Sequence, residues 1–112
     1  MRHWAEEVAL RHLESLGYRV EGQNVSYPGG EIDILMWDGP ELVMIEVRQR
    51  RGSAYGSAAE SIDRRKLQRI QLAARHYLAR KFPREQPPVR FDAVLVTGSP
   101  TAHEVEHLQA II

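Results

Sequence analysis

The stretch Gly30-Glu31-Ile32-Asp33-Ile34-Leu35-Met36-Trp37-Asp38-Gly39-Pro40-Glu41-Leu42-Val43-Met44-Ile45-Glu46-Val47-Arg48 decides the fold. Residues 32–37 and 42–47 are largely apolar, β-favouring runs, and Asp38-Gly39-Pro40-Glu41 between them is a turn signal, so the two runs are expected to pair as an antiparallel hairpin. A turn centred between Gly39 and Pro40 sets Asp33 opposite Glu46 and Glu31 opposite Arg48. Alternation then puts Glu31, Asp33, Leu35 and Trp37 on one side with Leu42, Met44, Glu46 and Arg48, and leaves Ile32, Ile34, Met36, Val43, Ile45 and Val47 for the other. One side is wholly apolar. The other gathers three carboxylates and a guanidinium far from the turn, the pattern of a sheet covered on both faces with charge at one edge.

Opposed carboxylates repel, and such a pair persists at low cost only with positive charge between them. A divalent cation is one candidate; Mg²⁺ takes hard oxygen ligands and keeps several waters, as a site that activates water against a phosphodiester requires. The alternative is a Glu31–Arg48 salt bridge with Asp33 and Glu46 at a wet sheet edge. Residues 3–16 have Ala9, Leu10, Leu13 and Leu16 at helical spacing, and Gly17 closes that helix. Glu6 shares the apolar side, whereas Glu7, Arg11 and Glu14 do not. An inward acid in a first turn is either a metal ligand or a wet carboxylate at the helix N-terminus.

Residues 18–25 read as an edge strand, broken at Pro28-Gly29-Gly30. Residues 49–57 form a small-residue loop in which Arg50 and Arg51 are placed to clamp a phosphate and Tyr55 to stack on a base, or simply to be solvated. Ser57-x-x-Glu60 reads as a capping box opening a long helix to about Phe82, with Ala59, Ile62, Ile70, Ala73 and Tyr77 inward. Lys66 lies on that inward side, where it either snorkels to solvent or reaches the carboxylates. Arg64, Arg65, Arg69 and Arg75 face outward, and Arg65 and Arg69 are candidate backbone contacts for nucleic acid. Residues 90–97 read as a strand and 103–107 as a last short one; Asp92 is expected in a structural pair with Arg90 or Arg84. His103 and His107 lack the third ligand a zinc site needs.

The quoted residues, together with Glu6-x-x-Ala9, Leu16-Gly17-Tyr18, Lys66, Tyr77-Leu78 and Arg90-Phe91-Asp92, resemble the uncharacterised bacterial YraN family over essentially the whole chain. That family is similar to archaeal Holliday-junction resolvases and restriction-endonuclease-like PD-(D/E)XK nucleases. The resemblance implies an α/β, restriction-endonuclease-like mixed sheet flanked by helices on both faces. It also implies Glu6, Asp33 and Glu46 as metal ligands for Mg²⁺ or Mn²⁺, with Arg48 at the position of the nucleases' catalytic Lys; Lys66, where it reaches the carboxylates, is the candidate to supply that cation and completes the candidate catalytic set. The family has Lys where this sequence has Arg48, and Gly where it has Ala5. Arg cannot give up its proton to act as a base, yet it can orient phosphate or stabilise transition-state charge.

With 112 residues, the chain is expected to form one domain, 1–112. It has no cysteine, which excludes disulfides and thiolate chemistry and fits a reducing compartment. No run is apolar enough for a membrane span, and no signal-peptide core follows Met1, so a cytoplasmic location is expected. Net charge is zero, but only Lys66 and Lys81 are lysines among 15 basic residues, and arginines cluster beside the carboxylates. The expected function is a metal-dependent DNA endonuclease, with branched DNA as a candidate substrate. The alternatives are an inactive nucleic-acid-binding module of the same fold and a structural protein-interaction domain. The expected partner is nucleic acid, DNA first, with a homodimer left open and no membrane.

Overall fold

The computed structural model describes residues 3–50 and 63–112. Helix α1 (Trp4–Ser15) is followed by strands β1 (Arg19–Tyr27), β2 (Gly30–Asp38) and β3 (Glu41–Arg50), helix α2 (Arg64–Lys81), and strands β4 (Val89–Gly98) and β5 (His103–Leu108). The strands form one mixed five-stranded sheet in the order β1-β2-β3-β4-β5. Consecutive neighbours are antiparallel except β3 and β4, which run parallel because the chain between them carries α2. Among the described residues this is a mixed α/β architecture of two helices and five strands.

Local chemistry sets the element ends. His3 caps α1 by accepting the Ala5 N–H on Nδ1, and the helix closes through Gly17 in the left-handed region at φ 95°. Leu16, expected inside, is 55% exposed, because at the C-cap it no longer follows the helical face. Helix α2 begins at Arg64 with Asp63 as N-cap, its side chain accepting the Lys66 N–H. The Ser57/Glu60 capping box, Ala59 and Ile62 lie outside the described residues. Ile70, Ala73, Ala74 and Tyr77 form its buried side.

The hairpin register agrees with the sequence reading where the ladder exists, from Ile34 opposite Ile45 to Asp38 opposite Glu41. The expected pairing of Asp33 with Glu46 does not form, since the ladder stops one step earlier. The expected side for Ile32 also fails: it packs with Leu35, Leu42 and Met44 in the cluster around α2, whereas Ile34, Met36, Val43 and Ile45 belong to the cluster around α1. The change of side falls between Ile32 and Ile34. There, Asn24 of β1 has a left-handed φ of 50°, and the β1–β2 register passes from Gln23–Ile34 to Val25–Ile32 without pairing Asn24 to Asp33. A local irregularity on both strands frees Asp33 from the sheet pattern.

Alternate residues of β3 divide between the clusters, and Leu42 to Ile45 are all fully buried. Gly30, at the start of β2, is where α2 comes closest. A Cβ there would lie 2.5 Å from the Arg69 carbonyl oxygen and 2.9 Å from the Ala73 nitrogen, both backbone atoms that cannot turn aside. Gly30→Ala is therefore expected to destabilise the fold by about 1–3 kcal/mol and lower the melting temperature by several degrees. Thermal denaturation followed by circular dichroism measures it, and an unchanged midpoint would contradict this packing.

Candidate functional site

Beyond Ile34 and Ile45 the hairpin strands part, and a side chain takes over from the ladder. Asp33 Oδ2 accepts the Val47 N–H at 2.8 Å, so a carboxylate occupies the position of a strand carbonyl. Its carboxyl group lies in the same cavity as, and interacts electrostatically with, Glu6 from the first turn of α1 and Glu46 from β3. Helix α1 delivers Glu6 here because Ala5, Ala9 and Leu13 bury the adjoining side of the helix. From the opposite direction Lys66, in the first turn of α2, brings Nζ to 3.7 Å from Glu46 Oε1.

These groups line a cavity of about 390 Å³, together with Glu31 and Arg48. Its acids are held away from their usual charge. Burial, then the charge of Asp33, raises Glu6. Burial also raises Asp33, against the pull of the Val47 N–H, and Glu31 adds repulsion. Glu46 is pushed up to about 8, first by burial, then by the neighbouring Asp33, with Arg48 only partly offsetting them. Four carboxylates line the cavity and one lysine and one arginine face them, so negative charge is in excess locally although the chain is neutral overall.

The model of the Uncharacterised protein family UPF0102 matches residues 5–96, a span that includes every group just described. This chain belongs to that family. A UPF0102 protein of Paracidovorax citrulli (strain AAC00-1) is 48% identical over 110 residues, covering 95% of this chain and 77% of its own. One from Xylella fastidiosa (strain M12) is 44% identical over 95 residues, 85% of this chain and 78% of its own. One from Herpetosiphon aurantiacus is 40% identical over 111 residues, 96% of this chain and 90% of its own.

In this UPF0102 chain, Glu6, Asp33, Glu46, Arg48 and Lys66 are thus brought together. Arg65 and Arg69 line an adjoining cavity of about 380 Å³ that shares Glu31, Glu46 and Lys66 with the first. Arg50, at the end of β3, lines neither cavity. Arg51 and Tyr55 lie outside the described residues. Among the described residues no ion pair joins Glu31 to Arg48; instead Arg48 Nε is buried with no hydrogen-bond partner. The arrangement also includes His3, which sequence reasoning placed only as a helix start. Asp92, expected to be structural, accepts from Arg90 at 2.9 and 3.0 Å and from the Ala110 N–H at 3.0 Å, and lies 2.7 Å from His107 Nε2. Among the described residues no helix is long and apolar enough to cross a membrane.

Whether the cavity suits a cation is a question of donors and charge. Among the described residues no three His, Asp or Glu side chains already converge as a metal shell. Burial and mutual repulsion raise Glu6, Asp33 and Glu46 together, so their ionisations are linked. The donor chemistry nevertheless fits a hard divalent ion: all-oxygen ligands, excess negative charge, and room for coordinated water.

The raised Glu46 carboxyl makes stability depend on pH in a defined sense. Its contribution is fully present below the ordinary carboxylate range and is lost as pH rises through about 8, where the buried group ionises. Glu46→Gln stays neutral throughout. In EDTA, the variant is therefore expected to gain on wild type from about pH 5 to about pH 8 and to hold a constant advantage above that, as measured by urea denaturation; parallel pH profiles would contradict the burial of an acid at this point.

Proposed function

We propose that the protein is a divalent-metal-dependent nuclease of restriction-endonuclease-like architecture, its mixed sheet covered by a helix on each face, acting on DNA. The observation that carries the reading is the meeting of Glu6, Asp33 and Glu46 in one cavity with Lys66 beside Glu46. Acids whose ionisation is suppressed by burial and by each other are the groups that a bound cation would restore to the carboxylate form, and strongly perturbed acids in a cleft are a mark of functional sites. The fold alone would not carry this conclusion.

In this reading Glu6, Asp33 and Glu46 hold Mg²⁺ or Mn²⁺. When bound, such an ion supplies activation of water and neutralisation of charge on the phosphoryl oxygens. The rest falls to the chain itself. The Val47 N–H fixes Asp33 so that one carboxylate oxygen is oriented and the other is left for a ligand. Lys66 Nζ presents a compact charge to the phosphate from the α2 side. Arg48, whose Nε is a buried donor without a partner, offers a planar fork to a phosphate oxygen and stabilises developing negative charge. Arg65 and Arg69 continue the track for the phosphate backbone, joined in this reading by Arg50, Arg51 and Tyr55.

A second reading, an inactive nucleic-acid-binding module, is favoured by one residue. Arg48 stands where the resembling nucleases have lysine, and a guanidinium cannot serve as a base. The two readings separate in a cleavage screen over single-stranded, duplex, flap and four-way DNA in Mg²⁺ and in Mn²⁺. The nuclease reading expects cleavage that EDTA and Asp33→Asn abolish and that Arg48→Lys preserves or raises. No cleavage by wild type or Arg48→Lys with either metal would overturn the nuclease in favour of the binding module.

A further inference from the structure

Several aromatic rings among the described residues pair within the fold, Tyr27 with His76 among them, and three are tied to interior polar groups. Tyr18, Trp37 and Tyr77 are tied into the interior: Trp37 Nε1 and the Tyr77 hydroxyl both donate to Glu21, and the Tyr18 hydroxyl accepts from Arg90. His3, Trp4 and His103 are different. Their rings adjoin in series, His3 to Trp4 at 6.0 Å between centroids with the planes 27° apart, and Trp4 to His103 at 6.1 Å with the planes 45° apart. His3 and His103 are exposed, and Trp4 is half-buried with part of its surface on the core cluster around α1.

The series begins at the carboxylate cavity, which His3 lines, and ends at a second cavity of about 480 Å³ lined by His103, Thr97 and Gly98. The two are bridged by the parallel ends of β3 and β4, where Gln49 pairs with Val96 and Arg50 with Thr97. Each ring is held in place before any ligand arrives. His3 Nδ1 accepts the Ala5 N–H at 3.2 Å, Trp4 is wedged on the core, and His103 Nδ1 lies 3.1 Å from the Ser99 carbonyl, to which it must donate. Rings so fixed lose little entropy on binding. Glu106 alternates to the side of β5 opposite His103, whereas Glu104 also lines the second cavity and would repel a phosphate there, which leaves that end of the series to a base.

We propose that His3, Trp4 and His103 form a stacking platform for unpaired bases, so that the substrate of the site is a single-stranded or frayed nucleic-acid segment whose backbone passes through the carboxylate cavity. The proposal rests on the nucleic-acid reading above and adds the class of substrate. Every base has a π face, so the platform tolerates any sequence, and continuous duplex cannot use it because its bases are already stacked. The phosphates of the same strand meet Lys66, Arg65 and Arg69 in the adjoining cavity.

Trp4 and Trp37 are the chain's two tryptophans, which makes the platform directly observable. The full chain is titrated in EDTA, where no cleavage occurs, with fluorescein-labelled oligothymidylate of about 12 nucleotides, with duplex of equal length and with heparin. Single strand is expected to bind more tightly than duplex at equal salt, and to quench Trp4 fluorescence in a Trp37→Phe protein, whereas heparin does not quench. His103→Ala, at an exposed position, is expected to weaken binding of the single strand about fivefold or more and to leave heparin binding unchanged. Trp4→Leu, which keeps an apolar group on the core, is expected to do the same. Absence of quenching together with unaltered affinity of His103→Ala overturns the platform, as does preference for duplex. Quenching by wild-type levels of single strand with no metal-dependent cleavage keeps the platform and overturns the nuclease. Metal-dependent cleavage of duplex by the wild-type chain without Trp4 quenching does the reverse.

Discussion

The hydrogen bond from the Val47 N–H to Asp33 Oδ2 is the interaction on which the site depends. An antiparallel ladder normally continues until its strands run out, because each unpaired backbone group costs as much as a lost hydrogen bond. Here a side chain satisfies the Val47 N–H, so β2 and β3 can separate beyond Ile34 and Ile45 without leaving a buried orphan. The separation makes room for a cavity at the end of two largely buried strands. It also keeps Asp33 beside Glu46, in a dry enough setting that both carboxyls are raised. Helix α1 contributes Ala5 and Glu6 and helix α2 contributes Lys66 to the opening so created.

The opposite end of the hairpin shows what the same sheet does with charges it intends to neutralise. Arg90 lies within 3.0 Å of Asp38, Glu41 and Asp92, and its guanidinium also donates to the Tyr18 hydroxyl. Burial alone would raise the fully buried Asp92, but hydrogen bonds from His107, Arg90 and the Ala110 N–H outweigh it and hold its carboxyl below the usual range. One cation there satisfies several acids, whereas at the cavity several acids share too little positive charge. A buried pole without its balancing charge is costly to a fold and persists where a ligand supplies the remainder.

Much of this was legible in the sequence because it follows from periodicity. Strand alternation and the Gly39-Pro40 turn sufficed for the hairpin register, and helical spacing sufficed to turn Glu6 and Lys66 inward. The side taken by Ile32 and the loss of the Asp33–Glu46 ladder pair were not legible. Both depend on Asp33 competing with the backbone for Val47, a choice made by three-dimensional context rather than by pattern. The start of α2 at Arg64, capped by Asp63, was not singled out in the sequence, because Asp63 stands within a largely polar run in which several residues could cap a helix. His3 carried no signal at all as a lining residue, because a histidine at a helix start reads only as a cap. Membership of UPF0102 was visible in the motif residues, while the nuclease activity remains a proposal built on their geometry.

The central claim is that the acids gathered around Asp33 hold one divalent ion. Titrating Mn²⁺ into the protein while following the six-line electron paramagnetic resonance signal of the free ion measures this without any substrate. The account predicts that wild type removes one Mn²⁺ per chain from the free signal, and that Asp33→Asn weakens this binding by about tenfold or more. A free Mn²⁺ signal undiminished by excess wild-type protein, or diminished equally by Asp33→Asn, would contradict it.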